Sequence, residues 1–296
     1  MNQISTKHPG RPPGRSPRRL SGLIFGLVLA TTFAHAAEPI WRTLPIPPPP
    51  PAPSESGTTA VNGARLHYAL YGKGEPLILL HGGLGNGENW ANQIPAFAVR
   101  YRVLTIDSRG HGRSTRGTGS MSYRQMADDV VAVMDTLHIP KAAVVGWSDG
   151  GIIGLDMAIR YPARLTALVT YGTNYRTDGL RDDIVEMPTS KEWGELAKRE
   201  SARISPAPAQ YEAFAKELFA MYQREPNYTD EQVRSIRTPT LIAAGYHEEY
   251  YRIDHFVALA RLIPGAELAI LPGASHFGVW QVPQAFNRMA LDFLTK

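Results

Sequence analysis

Short apolar runs alternate with segments of helical periodicity from residue 66 to the end of the chain. Runs of about four to eight apolar residues between turn residues are typical of strands that are covered on both faces. Strands that alternate with helices indicate a parallel sheet with crossover helices. The predicted strands are Leu66–Tyr71, Pro76–Leu80, Arg102–Asp107, Ala142–Gly146, Leu165–Gly172, Thr240–Gly245 and Glu267–Leu271.

One long stretch, residues 173–237, interrupts this alternation with helices alone. It contains two or three amphipathic segments, including Tyr211–Gln223 and one capped by Thr229. A helical insertion between two strands commonly covers the ends of the sheet, so we interpret this stretch as a cap inserted late in the fold. Its aromatic residues are predicted to form the core of the cap, with contact to a ligand as the alternative: Trp193, Tyr211, Phe214, Phe219 and Tyr222.

The N-terminal region differs from the rest of the chain. Residues 1–36 contain a basic stretch, an apolar run from Leu20 to about Ala30 and the small-residue pattern Ala34-His35-Ala36, which together predict a cleaved signal peptide. The apolar run is shorter than the roughly 20 residues of a spanning helix, so no stable membrane span is expected after cleavage. Residues 37–56 are rich in proline and are predicted to be a linker, and residues 57–296 are predicted to form one domain.

Charge and cysteine content exclude several classes of protein. The formal net charge is +4, but residues 1–36 carry five bases and no acid, which leaves 26 bases and 27 acids in the remainder. The predicted domain therefore has no electrostatic signature of a nucleic-acid binder. The absence of cysteine excludes disulfides, thiolate metal sites and a cysteine nucleophile. No spacing of His, Asp and Glu predicts a metal site.

The segment Gly146-Trp147-Ser148-Asp149-Gly150 carries the strongest chemical signal. It follows a predicted strand and precedes an apolar-periodic helix, the context in which Gly-x-Ser-x-Gly forms a sharp turn that exposes a serine nucleophile. A serine hydroxyl is a poor nucleophile at its ordinary pKa, so it needs this exposure and a neighbouring base. The flanking glycines lack the Cβ atoms that would collide across such a turn.

With these motifs, residues 57–296 resemble the α/β-hydrolase family, which has a mostly parallel central sheet flanked by helices. The resemblance also rests on His81-Gly82-Gly83 after one strand and on Asp107–Ser114 after the next. The run Gly-Trp-Ser-Asp-Gly-Gly resembles the valacyclovirase-like, or biphenyl hydrolase-like, branch of that family.

The resemblance implies that Ser148 is the nucleophile, that a late strand is followed by an acid and that His276 is the general base. The acid is expected three residues after the strand-end glycine, where Glu248 stands in place of the usual aspartate, with Glu249 as the alternative. It also implies an oxyanion hole formed by the backbone N–H groups of Gly83 and Asp149.

The same resemblance bears on substrate contacts. The acid after the nucleophile, Asp149, is associated in that branch with a substrate ammonium group, although an aspartate in a first helical turn is also favoured by the helix dipole alone. Trp147 and Trp90 are further candidate substrate contacts, for which packing is the alternative role.

These observations predict an exported, periplasmic or secreted serine hydrolase that cleaves carboxylic esters of small molecules through an acyl-enzyme and needs no cofactor. Ring opening of lactones or macrolactones and hydrolysis of amino-acid esters are the alternatives within the same chemistry. A non-catalytic ligand-binding protein of the same fold is the alternative from another class. Natural substrate, acyl size and oligomeric state do not follow from the sequence.

Overall fold

In a computed structural model, the described residues are 38–182 and 187–296, with four isolated positions before residue 38. The predicted signal peptide lies outside the described residues, apart from those positions. The core is one eight-stranded sheet. Its strands are β1 Glu55–Val61, β2 Ala64–Tyr71, β3 Glu75–Leu80, β4 Tyr101–Ile106, β5 Ala142–Trp147, β6 Leu165–Tyr171, β7 Thr240–Gly245 and β8 Glu267–Leu271.

The sheet has the spatial order β1-β2-β4-β3-β5-β6-β7-β8. The strand β2 pairs antiparallel with both β1 and β4, and all other neighbours pair parallel. The expected fold class, a mostly parallel sheet of the α/β-hydrolase type, is thereby confirmed. All seven strands predicted from the apolar runs are present.

Helices cover the sheet on both faces, which explains why its central strands are continuously apolar. On β3, Ile78 and Leu80 pack into one hydrophobic cluster, whereas Leu77 and Leu79 pack into the other. The α-helices are α1 Ile94–Phe97, α2 Tyr123–Thr136, α3 Asp149–Arg160, α4 Pro188–Ile204, α5 Tyr211–Tyr222, α6 Asp230–Arg234, α7 Ile253–Leu262, α8 Gly278–Gln281 and α9 Pro283–Leu294. No helix of the described ranges is long and apolar enough to cross a bilayer.

Local sequence signals account for two helix starts. The Ser122 hydroxyl accepts a hydrogen bond from the Gln125 amide at 3.1 Å and begins α2. Thr229 begins α6 with a reciprocal capping box that uses the Gln232 side chain. Each cap satisfies an amide that has no partner within its own helix. The helices α4, α5 and α6 lie between β6 and β7 along the chain, in the stretch predicted to form the cap.

The proline-rich segment differs from the expected linker. Strand β1 begins at Glu55, inside the predicted linker boundary, and residues 38–296 form one compact unit. Residues 40–42 form a turn of 3₁₀-helix, and the Leu44 side chain packs against the hydrophobic cluster of the domain. The first strand carries no apolar run because it is an edge strand whose residues are mostly exposed.

Candidate active site

Loops that follow three strands in the parallel part of the sheet meet at one edge of the sheet. Strands β5, β7 and β8 are parallel members of the same sheet, so their carboxyl ends and the loops that follow lie on the same edge. These loops carry Ser148, Glu248 and His276. Ligand sites of open α/β sheets occupy this edge because the loops there converge while the strands hold them rigidly.

Ser148 lies at a strained turn between β5 and α3. Its backbone has φ +53° and ψ −117°, a conformation that L-residues rarely adopt. The Ser148 amide donates to the Tyr171 carbonyl at 2.8 Å, which fixes the turn to the neighbouring strand. A Cβ at Gly146 would collide with the Gly150 backbone, and one at Gly150 would collide with the Leu80 carbonyl. The turn therefore requires both glycines of the sequence motif.

His276 and Glu248 form a buried pair. His276 Nδ1 and Glu248 Oε1 are 2.7 Å apart, and the same carboxylate oxygen accepts a hydrogen bond from the Tyr250 amide at 3.0 Å. The His276 carbonyl accepts from the Trp147 indole at 2.8 Å. Gly172 provides the space for this pair, because a Cβ there would lie 2.8 Å from His276 Nδ1. A carboxylate at Nδ1 orients the ring so that Nε2 is available to a substrate or nucleophile.

Glu249, the alternative acid, forms its side-chain hydrogen bond with a residue other than His276. Its Oε1 accepts a hydrogen bond from the Thr189 hydroxyl at 2.6 Å, at the start of cap helix α4. Burial raises the pKa of Glu249 to about 7, and the negative charge of Glu248 adds to this rise. Of the two glutamates, Glu248 is therefore the one that contacts the imidazole.

The Ser148 side chain lies beside Tyr251, whose ring in turn neighbours the ring of His276. Burial raises the pKa of Tyr251 well above its ordinary value, and a side-chain hydrogen bond with Ser148 opposes that rise. The rings of Tyr251 and His276 are 5.8 Å apart. Within residues 38–182 and 187–296, no hydrogen bond joins Ser148 to His276. Such bonds are often long or misaligned in free enzymes and tighten when substrate binds.

The backbone amides of Gly83 and Asp149 have the surroundings of an oxyanion hole. Neither amide donates to an acceptor in the described part of the chain. A Cβ at Gly82 would lie 3.3 Å from Ser148 Cβ, so the loop after β3 packs directly against the nucleophile turn. The Asp149 amide is at the N-terminus of α3, where helix donors point outward.

The Asp149 carboxyl group bridges two tyrosines. Oδ1 accepts a hydrogen bond from the Tyr123 hydroxyl at 3.0 Å, and Oδ2 accepts from the Tyr222 hydroxyl at 2.7 Å. Burial raises the pKa of Asp149 to about 6, although both tyrosine hydrogen bonds and the charge of His276 act in the opposite direction. Tyr222 belongs to cap helix α5, so this contact links the cap to α3, the helix that follows Ser148.

Two predicted substrate contacts lie in the core. Trp90 is completely buried and packs against Phe286, and Trp147 is buried among aromatic rings beneath the nucleophile turn. Both indoles are thus buried in aromatic packing, the alternative role that the sequence left open for them. Their burial reflects the tertiary packing of α8 and α9, which no local pattern reveals.

Two of the cap aromatics, for which cap core was the favoured role and ligand contact the alternative, reach the site. The Trp193 indole donates to the Gly83 carbonyl at 3.2 Å. The Tyr222 hydroxyl donates to the Asp149 carboxylate. It also lies so close to Gly83 that a Cβ on that residue would collide with it. Phe219, by contrast, is exposed. The amphipathic pattern predicted that these helices have a buried face, but it did not show that this face packs against the candidate active site.

The loop histidines His81 and His111 are bound to backbone groups. His81 accepts from the Ser108 amide at Nε2, and its Nδ1 lies 2.8 Å from the Gly82 carbonyl. Burial lowers the pKa of His111 to about 3, and its Nδ1 lies 3.0 Å from the Arg109 carbonyl. No group of three or more His, Asp or Glu residues in the described chain is arranged to hold a metal ion.

A sequence model of the alpha/beta hydrolase fold matches residues 75–205. The chain is 31% identical over 255 residues to a putative carbamate hydrolase RutD of Azorhizobium caulinodans, covering 78% of this chain and 95% of that protein. It is 30% identical over 261 residues to the serine hydrolase BPHL of Mus musculus, covering 81% of this chain and 86% of that protein. The solved enol-lactonase of Burkholderia xenovorans LB400 covers 81% of this chain and 100% of its own, with 26% identity and a TM-score of 0.65.

The fold, the site and these relatives define a hydrolase. The chain belongs to the α/β-hydrolase family. Within that family it resembles hydrolases that act on different bonds, so membership alone does not fix the substrate.

Proposed function

We propose that this protein is an exported serine hydrolase that cleaves carboxylic esters through an acyl-enzyme intermediate. The observation that carries the proposal is the buried His276–Glu248 pair, at 2.7 Å, beside a serine in a strained strand-to-helix turn. The amides of Gly83 and Asp149, which have no acceptor among the residues that the structure describes, support it, because acyl transfer needs donors for a developing oxyanion.

The proposed reaction proceeds in two halves. Ser148 Oγ attacks the ester carbonyl while His276 Nε2 accepts its proton, and the carbonyl oxygen becomes an oxyanion held by the two amides. Collapse of this intermediate breaks the acyl–oxygen bond, and His276 returns the proton to the leaving alcohol. Water then attacks the acyl-enzyme by the same route, which releases the acid and restores Ser148. Glu248 holds the imidazole tautomer and stabilises the imidazolium.

A fluorophosphonate probe tests the nucleophile directly. We expect the purified wild-type protein to be labelled at Ser148 and to hydrolyse p-nitrophenyl esters with a burst of p-nitrophenol. Ser148→Ala should lose both, while Ser275→Ala, a buried serine one residue before His276, should still be labelled. Failure of the wild-type protein to be labelled would defeat the hydrolase proposal and favour the non-catalytic ligand-binding alternative.

Lactone opening is the second candidate. The similarity to the enol-lactonase of Burkholderia xenovorans LB400 favours it, and ring esters use the same nucleophile, base and oxyanion donors. A series of lactones, macrolactones and linear esters with matched acyl chains separates the two. A higher kcat/KM for the ring esters at equal chain length would favour lactone opening, and the reverse would favour linear esters.

For Asp149 we propose a role in binding a substrate ammonium group. Its buried carboxyl group follows the nucleophile directly, and a pKa of about 6 leaves it mostly ionised at neutral pH. Comparison of an α-amino ester with its desamino analogue tests this in the wild-type protein and Asp149→Asn. We expect the preference for the amino ester to fall in the variant, and an unchanged ratio would reject the role.

Export is proposed from residues 1–36 alone. Cleavage after Ala36 would leave a periplasmic or secreted protein that begins at Ala37. Mass spectrometry of the protein recovered from the producing cell's envelope and medium tests this. A mature N-terminus near residue 37 is expected, and intact Met1–Ala36 in that fraction would overturn the proposed cleavage.

A further inference from the structure

The segment Pro39–Leu44, here called the N-terminal strap, lies against the edge of the sheet that carries the candidate active site. Two hydrogen bonds close its turn. The Arg42 amide donates to the Pro39 carbonyl at 2.8 Å, and the Thr43 hydroxyl donates to the Ile40 carbonyl at 2.8 Å. The strap is therefore a folded element rather than an extended spacer.

The strap contacts the loop of the candidate triad acid. The Trp41 ring stacks on the His247 ring with 4.0 Å between ring centroids and 12° between planes. His247 is the residue directly before Glu248, and its amide donates to the Ala274 carbonyl at 2.9 Å. Arg42 places its guanidinium carbon 4.9 Å from the same indole.

The strap also contacts the loop of the candidate base through one buried side chain, Gln281. The Gln281 amide nitrogen donates to the carbonyls of Trp41 at 3.3 Å and Thr43 at 2.9 Å. The Ser275 hydroxyl lies 3.0 Å from the same nitrogen, whose two N–H groups are shared among these three acceptors, and the Gln281 amide oxygen accepts from the Ser275 amide at 2.8 Å. Ser275 is the residue directly before His276. One buried amide thus uses its hydrogen-bonding capacity to join the strap to the His276 loop.

We propose that the N-terminal strap is a positioning element of the triad, in which Trp41 and Gln281 hold the Glu248 and His276 loops in register. This inference rests on the proposed hydrolase function. The pair Glu248–His276 spans two loops that are otherwise joined by backbone bonds such as His247 to Ala274. A displacement of about 1 Å at a catalytic group can cost about 10²-fold in rate, so an external tie to both loops has a direct effect on turnover.

Substitutions in the full-length chain test the proposal. We expect Trp41→Ala to lower kcat about tenfold while KM changes little, because the strap touches the triad loops and not the substrate. Trp41→Phe keeps an aromatic ring over His247 and should restore most of the loss. Ile46→Ala is the matched control, since Ile46 is a nearby, exposed residue of the same proline-rich segment, and its kcat should equal that of the wild-type protein.

A spectroscopic measurement separates positioning from simple loss of stability. The His276 Nδ1 proton, hydrogen-bonded to Glu248, should give a downfield proton NMR signal that is assigned by its absence in His276→Ala. In Trp41→Ala and in Gln281→Glu, which keeps the acceptor for the Ser275 amide but removes the donors to the strap, this signal should shift or broaden. It should be unchanged in Ile46→Ala.

The outcomes distinguish this inference from the proposed function. A wild-type protein that is labelled at Ser148, together with Trp41→Ala and Gln281→Glu variants of wild-type kcat and wild-type Nδ1 signal, would overturn the strap proposal alone. A wild-type protein that is neither labelled nor active would overturn the hydrolase proposal, whereas the NMR comparison would still report whether the strap holds the two loops. A kcat loss that is confined to the strap variants, together with the signal change, supports it.

Discussion

The two regions around Ser148 are built in different ways. The loops after β5, β7 and β8 are fixed by backbone constraints: a positive φ at Ser148, glycines that admit no side chain and amides that bond across neighbouring strands. The cap contacts the site through side-chain tips, namely the Tyr222 hydroxyl on Asp149, the Trp193 indole on Gly83 and the Thr189 hydroxyl on Glu249. Groups held by backbone keep their geometry at little cost, whereas contacts made by side-chain tips can break and re-form. We therefore expect chemistry to depend on the loops, and substrate fit and pH response to depend on the cap contacts.

The largest expected effect is on the loop side. Ser148→Ala and His276→Ala should each lower kcat on the order of 10⁶-fold, because the groups of a triad act as a unit. Single-turnover kinetics on a p-nitrophenyl ester measures this, with circular dichroism as a check on folding. The double variant should lose no more than either single variant, and additive losses would show that the two residues do not act together.

The next effect compares the two adjacent glutamates. Glu248→Gln should lower kcat about 10⁴-fold, because an amide facing Nδ1 no longer fixes the required imidazole tautomer. Glu249→Gln, whose partner is the cap residue Thr189, should lose less than about tenfold, the scale of one exchanged neutral hydrogen bond. The measurement is kcat/KM at neutral pH. Equal losses in the two variants would contradict the assignment of Glu248.

A smaller effect distinguishes two properties of Gly83: its backbone N–H donor and its close packing against the cap residue Tyr222. Gly83→Pro deletes the amide donor and should cost about 3–4 kcal/mol of transition-state stabilisation. Gly83→Ala keeps the donor but places a Cβ against the Tyr222 hydroxyl. We therefore expect Tyr222→Phe to relieve the loss caused by Gly83→Ala and to leave the loss caused by Gly83→Pro in place, as measured by kcat/KM. Relief of both would argue against Gly83 as an oxyanion donor.

The last expected effect is on stability, because the free energy of unfolding should depend on pH through Asp149. Its pKa is raised from 3.8 to about 6 by burial, so the native state binds this proton more tightly than the unfolded state does. The stability that this group contributes is fully present below about pH 4 and is lost as pH rises through about 6. The shift corresponds to about 3 kcal/mol.

Urea unfolding of the wild-type protein and Asp149→Asn between pH 4 and pH 7 tests this. The wild-type free energy of unfolding should fall relative to that of the variant as pH rises, since asparagine does not titrate. Asp292→Asn, at an exposed position of α9, is the control and should follow the wild-type curve. Parallel curves for the wild-type protein and Asp149→Asn would contradict the burial of a titrating carboxyl group there.

Features that are determined by residues close together in the sequence were predictable from the sequence. The buried strands were visible as continuous apolar runs because both faces of the sheet are covered. The turn at Ser148 was visible because Gly146 and Gly150 are required by local sterics, and the cap of α6 because its donor and acceptor are three residues apart. Strand β1 was missed because its own residues are mostly exposed and form no apolar run.

What joins distant parts of the chain was decided by the tertiary structure alone. The pairing of His276 with Glu248 while Glu249 turns to Thr189 depends on how two loops and a cap helix pack. Asp149 lies between Tyr123 and Tyr222, and Trp41 rests on His247, because folding brings these segments together. A side chain's local sequence fixes its backbone conformation and its chemistry, but its hydrogen-bond partner and pKa depend on which distant groups exclude water around it.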